Sequence, residues 1–496
     1  MKPSAMTPAA LVAAALFAGC SVGPDYVRPA VETPAAYKEA GNWKPAQPRD
    51  HVNRGKWWEV FDDPMLNQLQ EQVDISNQNL AKVEAQFRQA LALLQSARAG
   101  YFPSVTGGIS TTRSRASATT IAQPSAAPVS REVVSNHNIP LQASWAPDVW
   151  GNISRAVEAN EAGAQASAGD LAAARLSAQA ALAQSYFQLR ALDAQQLLLE
   201  GTVAAYGKSL KLVQNQYAAG VVAKSDLVQA QTQIKTTQAQ AIDIGAQRAQ
   251  FEHAIALLVG KAPSELSIAR QPIKAAVPPA PVGLPSELLE RRPDIAAAER
   301  RMAQANAQIG VATVAYFPAL TLSASGGYQS AAMVDWLTAP SRYWSFGTAI
   351  AQSIYDGGLR RAQTAQAIAA YDASVAGYRQ IVLTAFQQVE DSLATLRILE
   401  QEAEVQGEAV KLAEQALALA LNQYKAGTVN YLNVVVAQAT SLANQRAAVD
   451  ILSRRVSASV QLVTALGGGW TPSPEELTER KASRSERNAL GAAIGK

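Results

Sequence analysis

Two six-residue stretches far apart in the chain are near-copies: Asn215-Gln216-Tyr217-Ala218-Ala219-Gly220 and Asn422-Gln423-Tyr424-Lys425-Ala426-Gly427. Each ends a long proline-free run dominated by Ala, Gln, Leu and Glu, residues 153–219 and 359–426. At a rise of 1.5 Å per residue, a helix over either run would reach roughly 100 Å. That is about six times a typical globular helix, so the rest of the chain has to be organised around these two elements. Gly220 and Gly427 suit the left-handed position that closes a helix, and Ser225-Asp226 and Asn430 suit the start of the next one. The sequence therefore predicts two helical hairpin tips. Their separation of about two hundred residues exceeds the usual solenoid periods and indicates a duplicated half-protein.

The remaining elements repeat in the same order. Asp63-Pro64 supplies an N-cap with proline at the first helical position, opening a helix expected to run to about Ala99, where Tyr101-Phe102-Pro103 stops it. Residues 105–114 turn to Gly, Ser, Thr and small apolar side chains. Ile139, Leu141, Ala143 and Trp145 then alternate with Pro140, Gln142 and Ser144, the period of a strand with one apolar face. The long helix follows, then tip one, and then a return helix over 227–258. In the second half Leu284-Pro285-Ser286 and Arg292-Pro293-Asp294 open a helix that Tyr316-Phe317-Pro318 stops. Strands begin at Leu320 and around Trp344, Phe346, Thr348 and Ile350, and the second return helix is expected over 432–466. This divides the chain into 20–62 as an extended arm, 63–262 and 286–470 as the two repeats, 263–285 as a linker, and 471–496 as a charged tail expected to be disordered.

With 496 residues, 48% hydrophobic and 17% charged, and a formal charge of +3, the chain is large but nearly neutral, and its basic residues are scattered. That argues against nucleic acid as a partner. One cysteine and three histidines leave little for thiol or metal chemistry. The cysteine, Cys20, follows a short apolar run, residues 9–18, which is too short to span a bilayer and reads as a signal segment covering 1–19. Leu16-Phe17-Ala18-Gly19-Cys20 resembles the bacterial lipobox, which implies lipid, palmitate included, on Cys20. Ser21 is not the aspartate that retains lipoproteins at the inner membrane, so the same resemblance implies sorting to the outer one. No later segment reaches the roughly twenty apolar residues of a transmembrane helix, so any crossing has to be made by strands.

Four strands of about ten residues have the length to cross a bilayer at a tilt, but four cannot close a barrel, and an open sheet would leave edge amides unsatisfied in hydrocarbon. The chain is therefore expected to oligomerise through its strands, three copies giving twelve. Leu141, Trp145, Trp344 and Phe346 are the expected lipid-facing side chains.

The order of elements, together with Cys20, Gly23-Pro24-Asp25-Tyr26, Trp57-Trp58, Asp63-Pro64, Leu284-Pro285-Ser286 and Arg291-Arg292-Pro293-Asp294, resembles the TolC-like outer-membrane efflux factors, in the lipoprotein branch that serves RND-type pumps. The resemblance covers nearly the whole mature chain. It implies a mainly α fold with a membrane β-barrel: a homotrimeric, 12-stranded barrel continuous with a long periplasmic α-helical barrel, internally duplicated. It also implies a periplasmic adaptor and an inner-membrane RND pump as partners, outer-membrane lipid around the barrel, and no cofactor beyond the lipid on Cys20. Carried to this chain, the tips that close the duct and meet the adaptor include Tyr217, Gly220, Asp226, Tyr424, Gly427, Val429 and Asn430. Thr428-Val429-Asn430 stands where many relatives carry an acidic residue.

Other motifs have plainer readings. Gly207-Lys208-Ser209 looks like the end of a phosphate loop, but the required glycine would fall at Thr202, inside a helix. His51, His137 and His253 have no second ligand at metal spacing, and Asn152-Ile153-Ser154 is an incidental glycosylation pattern. No Ser, His and Asp set is gathered for catalysis, so an enzyme is not expected. The leading reading is a passive exit duct of a tripartite efflux system. The alternatives are the outer-membrane duct of a type I protein secretion system and a non-conducting periplasmic coiled-coil lipoprotein.

Overall fold

The computed structural model describes residues 22–30, 33–34, 37–40, 56–115, 133–273 and 291–469. The signal segment, Cys20, His51, Leu284-Pro285-Ser286 and the tail 471–496 lie outside these residues. Seven helices are described: α1 Pro64–Ser76, α2 Gln78–Ala99, α3 Asn152–Ala218, α4 Lys224–Leu258, α5 Pro293–Val314, α6 Leu359–Lys425 and α7 Tyr431–Ala465. The duplication is metrical: α3 and α6 each have 67 residues, and α4 and α7 each have 35.

Asp63 caps α1 as expected, its carboxylate accepting from the Met65 and Leu66 N–H groups at 3.0 and 3.1 Å, with Pro64 at the first position. The single helix expected to reach Ala99 is instead broken at Asn77, whose backbone is extended. Asn77 recaps the chain by accepting from Asn79 and Leu80 at 2.9 and 3.1 Å, and its amide donates to the Leu258 carbonyl at 2.7 Å.

The chain forms two compact units, each drawing on both sequence halves: Met1–Pro29, Arg88–Ala164 and Glu299–Ala376 in one, Ala30–Phe87, Gln165–Ala298 and Gly377–Lys496 in the other. The first unit holds an antiparallel sheet of β1 Ser104–Gly107, β2 Ser110–Ser114, β3 Val134–Trp145, β4 Ala319–Ser330 and β5 Arg342–Ala351. Its order is β1-β3-β4-β5, with β2 also on β3. The strand expected over 105–114 is thus split, although its register is unbroken: Gly107 pairs with Leu141 and Ser110 with Asn138. The gap lies opposite Pro140, which has no N–H to give the ladder, while the Gly108 N–H still donates to the Pro140 carbonyl at 3.1 Å. On the other side of Pro140 stands Gly327, where a Cβ would collide with the Ile139 carbonyl oxygen.

Within the same unit Val22 to Tyr26 is pinned down. The buried Arg155 guanidinium donates to the Val22 and Gly23 carbonyls and pairs with Asp25 and Glu158, at 2.8–3.2 Å, and the Tyr26 hydroxyl donates to Glu299 at 2.9 Å. The Tyr316-Phe317-Pro318 stop is fastened to the β3–α3 turn, where the Trp150 indole donates to the Pro318 carbonyl at 2.8 Å and stacks on Phe317.

The second unit is a helical assembly with a core of Trp57, Trp58, Phe61, Leu66, Leu69, Tyr186, Phe187, Leu189, Ile255, Val456 and Val460. Residues 57–61, expected as part of an extended surface arm, instead form a buried 3-10 turn, because three large aromatic side chains in five residues gain more from the core than from solvent. α7 packs against both α3 and α4, with Leu442 beside Leu192, Leu199 and Ile244. α6 lies along α7, with the Gln406 amide donating to Asn444 at 3.0 Å and Gln445 donating to Glu414 at 2.6 Å.

Candidate functional site

The two tips have one turn geometry. Gly220 and Gly427 take φ of 71° and 74°, the left-handed region that glycine enters without steric cost. The Val221 N–H reaches back to the Gln216 carbonyl at 2.9 Å and the Thr428 N–H to the Gln423 carbonyl at 3.0 Å, the six-to-one bond of a Schellman cap. A Cβ at either glycine would meet nothing within 4 Å, so conformation, not packing, demands glycine.

The helix starts beyond the turns differ. Asn430 caps α7 as expected, its side chain accepting from the Asn433 N–H at 3.3 Å. Ser225-Asp226 does not cap α4, contrary to expectation: the helix begins at Lys224, three residues before the expected start at 227, and its cap is Ala223, which makes no side-chain bond. Asp226 lies within the first turn, where its charge meets the positive end of the helix.

Packing separates the tips further. Tyr424 and Tyr431 are 4% and 2% exposed and meet edge to face, ring centres 5.3 Å apart. With Val213, Ala230 and Val434 they form a small core between the hairpins, flanked by partly buried Val222 and Val429. Tyr217, the counterpart of Tyr424, is 41% exposed. Burial pushes the Tyr431 phenol up to about 12, and it raises Tyr424 too, with the Asp226 carboxylate as the next cause. The Tyr424 hydroxyl is buried with no hydrogen-bond partner among the described residues. Higher on the same helices, Gln438 donates to the Ser209 hydroxyl at 3.2 Å.

The second predicted set sits on one face of the sheet. Leu141 is in register with Gly326, and Gly326 with Trp344. Ala143, Ala324 and Phe346 form the next row on that face, and Trp145 and Leu322 the one after. Leu141, Trp344 and Phe346 are 59%, 83% and 67% exposed, and Trp145 is 38% exposed, its indole donating to the Tyr101 carbonyl at 3.0 Å. The opposite face carries Gln142, Ser144, Ser323, Ser325 and Ser345, with the Ser325 and Ser345 hydroxyls 2.7 Å apart. The sheet is therefore apolar on one side and polar on the other, as a wall between hydrocarbon and water requires.

Other candidates fall to local roles. Gly207-Lys208-Ser209 lies within α3, His137 contacts Thr111 and the Trp336 ring, and His253 is exposed on α4. Among the described residues no three His, Cys, Asp or Glu side chains are grouped to hold a metal ion, and no helix is long and apolar enough to cross a membrane.

Sequence reasoning missed a buried ion cluster midway along the helices. The Asp193 carboxylate, fully buried, accepts from Arg190 at 3.2 Å, from Arg248 at 2.7 Å and from the Gln271 N–H at 3.1 Å. Arg248 also donates to the Ile268 carbonyl, and Glu252 accepts from the Ile268 N–H at 2.6 Å. The cluster straps residues 268–271 across α3 and α4. Residues 37–40 cross α6 and α7 in the matching manner: Tyr37 is buried beside Val389, Leu393 and Leu462, and Glu390 accepts from the Lys38 and Glu39 N–H groups at 2.7 and 2.9 Å. The spacing of Arg190, Asp193, Arg248 and Glu252 is ordinary for solvated helix faces, so nothing in the sequence marks them as buried.

The pattern of the family described as "Outer membrane efflux protein" matches residues 69–261 and 284–468. The pyoverdine export outer membrane protein OpmQ of Pseudomonas aeruginosa is 31% identical over 86% of this chain and 90% of its own length. The outer membrane protein OprJ of the same organism is 31% identical over 95% of this chain and 97% of its own length, and the toluene efflux pump outer membrane protein TtgF of Pseudomonas putida is 30% identical over 91% and 94%. Among solved structures the outer-membrane channel OprN superposes with a TM-score of 0.83 at 30% identity, over 91% of this chain and all of that one. The Campylobacter jejuni CmeC outer membrane channel shares the fold at a TM-score of 0.85 and 20% identity, over 93% and 98%.

Proposed function

The chain belongs to the outer membrane efflux protein family, and from that premise we propose that it is the exit duct of a tripartite RND-type efflux system, passing small solutes across the periplasm and outer membrane. It resides in the outer membrane. Three copies would close the sheets into a barrel, apolar face to lipid and polar face to water, because a sheet with β1 and β2 in line along one side and β5 on the other leaves two open edges. The duct needs no chemistry of its own: the pump supplies the energy, and the hairpin tips open or close the path when a periplasmic adaptor engages them. Lipid on Cys20 would anchor the chain beside the β3–α3 turn, since Val22, two residues on, is already held there by Trp150 and Arg155. The relatives export pyoverdine and toluene by their names. A conduit lined by the polar sheet face would match that breadth, and selectivity would then rest with the pump.

The observation that carries this reading is the pairing of a one-sided apolar sheet with two hairpin tips of identical turn geometry. The test is to express the chain in a strain lacking its own efflux duct but keeping a matching adaptor and pump. Restored solute export, with channel conductance of the purified protein in planar bilayers, is the expected outcome. A monomeric, wholly helical protein in detergent that restores no export would overturn it.

A further inference from the structure

Across the five described strands the only Asp, Glu, Lys or Arg side chains are Arg113 and Arg342, and both stand on the apolar face of the sheet. Arg342 is in register with Tyr328, and Tyr328 with Ile139. Arg113 is on the same face as Thr111, whose hydroxyl lies 3.1 Å from the His137 ring. The polar face, where a guanidinium would be solvated without cost, carries neither. Both arginines also lie at one end. The strand ends at Ser104, Trp145, Ala319 and Ala351 adjoin helices, so the opposite end, with Arg113, Ser330 and Arg342, is the outward one. Arg342 and Ile350 are eight residues apart, roughly 20 Å along the membrane normal at a strand tilt of about 40°. Arg342 therefore stands near the outer limit of an apolar band about 25 Å tall.

Beside Arg342 the apolar face has a notch. Ile109, Ile139 and Tyr328 form one wall and Leu141 the other, over a floor of Gly107 and Gly326. The fold does not ask for either glycine: neither has a positive φ, and an added Cβ would stay at least 3.4 Å from every atom beyond its chain neighbours. Glycine inside a strand weakens it, so what these two positions supply is the open floor. Past the notch the turn between β4 and β5 bends onto the same face. The Trp336 ring lies 5.3 Å from the His137 ring, and Met333, Val334 and Leu337 are left exposed. Arg342 thus stands amid apolar surface, over the Tyr328 ring at 5.8 Å and with no carboxylate partner among the described residues. Asp335, the one acid of the turn, is in no ion pair there either.

We propose that this outward end of the sheet is a seat for one phosphorylated, multi-acyl glycolipid of the outer leaflet, of the lipid A class. An acyl chain lies in the notch over Gly107 and Gly326, and the Arg342 guanidinium donates to a headgroup phosphate. A guanidinium matches a phosphate bidentately, and at an apolar margin it needs an anion that a neutral lipid does not offer. The notch opens on the face already turned to hydrocarbon, so its occupant is a lipid chain. A phospholipid would satisfy Arg342 alone. Arg113 and Arg342 are three strand spacings across and four residues along from each other, roughly 20 Å between Cα atoms and less between extended side chains. Two cations so placed suit a headgroup that carries more than one phosphate.

The seat rests on the outer-membrane duct proposed above, and native mass spectrometry of the full chain, purified as its oligomer in mild detergent, tests it with purified lipid A as the probe. The wild-type oligomer should retain lipid A at up to one per chain. Arg342→Gln should weaken retention about tenfold, with Arg342→Lys falling between the two. Gly326→Val fills the notch and leaves the cation, and it should weaken retention as well; Gly107→Val does the same from the other side of Leu141. The same spectra show whether each variant still assembles. Equal retention by wild type and Arg342→Gln, equal retention of lipid A stripped of its phosphates, or displacement by an equal amount of phosphatidylglycerol would overturn the seat. An oligomer that conducts solute yet retains no lipid A sinks the seat and leaves the duct standing. A chain that is monomeric and absent from the outer membrane removes both.

Discussion

The two hairpin tips share five of six motif residues and one backbone turn, yet their tyrosines live in opposite surroundings. Tyr217 is exposed, whereas Tyr424 is buried against Tyr431, Val213 and Ala230. The residue that makes the difference is outside the motif. Counted from the glycine, Tyr431 in the second tip stands where Lys224 stands in the first, and Asn430 stands where Ala223 stands. The aromatic ring supplies a partner for Tyr424, while the lysine leaves Tyr217 in solvent. A short motif thus specifies how the chain turns, and the next few residues decide which turn becomes a contact. On this view the second hairpin is seated on the first through Tyr424 and Tyr431, and the first has no reciprocal seat.

The comparison can be broken most severely at its common element. Gly427→Pro removes the N–H that bonds the Tyr424 carbonyl and forbids the positive φ, which should cost the second tip about 3 kcal/mol or more and leave the barrel assembled. A raised leak conductance with normal membrane assembly is the expected result, and unchanged leak and export would remove the tip from the gate. Tyr424→Ala should follow at about 3 kcal/mol through the lost ring and its cavity, with Tyr217→Ala within about 0.5 kcal/mol of wild type. Hydrogen exchange of the amides around each tip reads the contrast, and equal losses at both would erase the asymmetry.

Alkaline pH probes the same seat more gently. Tyr431 titrates at about 12 when folded against 10.0 when exposed, so the buried form favours the neutral phenol. Seating should be fully present below pH 10 and fade as pH rises from 10 to about 12. Exchange around Val434 should accelerate over that window, and Tyr431→Phe should flatten the profile. Last, Asn430→Ala should cost about 1 kcal/mol of α7 start stability. Ala223→Asn should gain a comparable cap at the first tip, so that melting of the two helix starts converges. If neither substitution moves its helix start, the difference in capping does not distinguish the tips.

What could be read along the chain is whatever depends on near neighbours. Asp63-Pro64 begins a helix wherever it is exposed to water, Gly220 and Gly427 end one, and alternation from Ile139 to Trp145 makes a strand with two unlike faces. The errors were of another kind. The break at Asn77 exists because Leu258, far along the chain, offers a carbonyl to its amide. The gap between β1 and β2 exists because Pro140 lies opposite, and Trp57, Trp58 and Phe61 are buried because Tyr186, Phe187 and the helices around them provide a cavity.

The long helices, their glycine turns and the two-faced strands follow from local chemistry, since intrahelical bonds, backbone conformation and side-chain period all act within a few residues. Tertiary packing alone decided that Asp193 would be a buried ion centre and Glu404 an exposed carboxylate. It likewise decided that Tyr424 would anchor a hairpin while Tyr217 stayed in water. Burial is a property of what arrives from elsewhere in the chain, and no residue carries that information in its immediate neighbours.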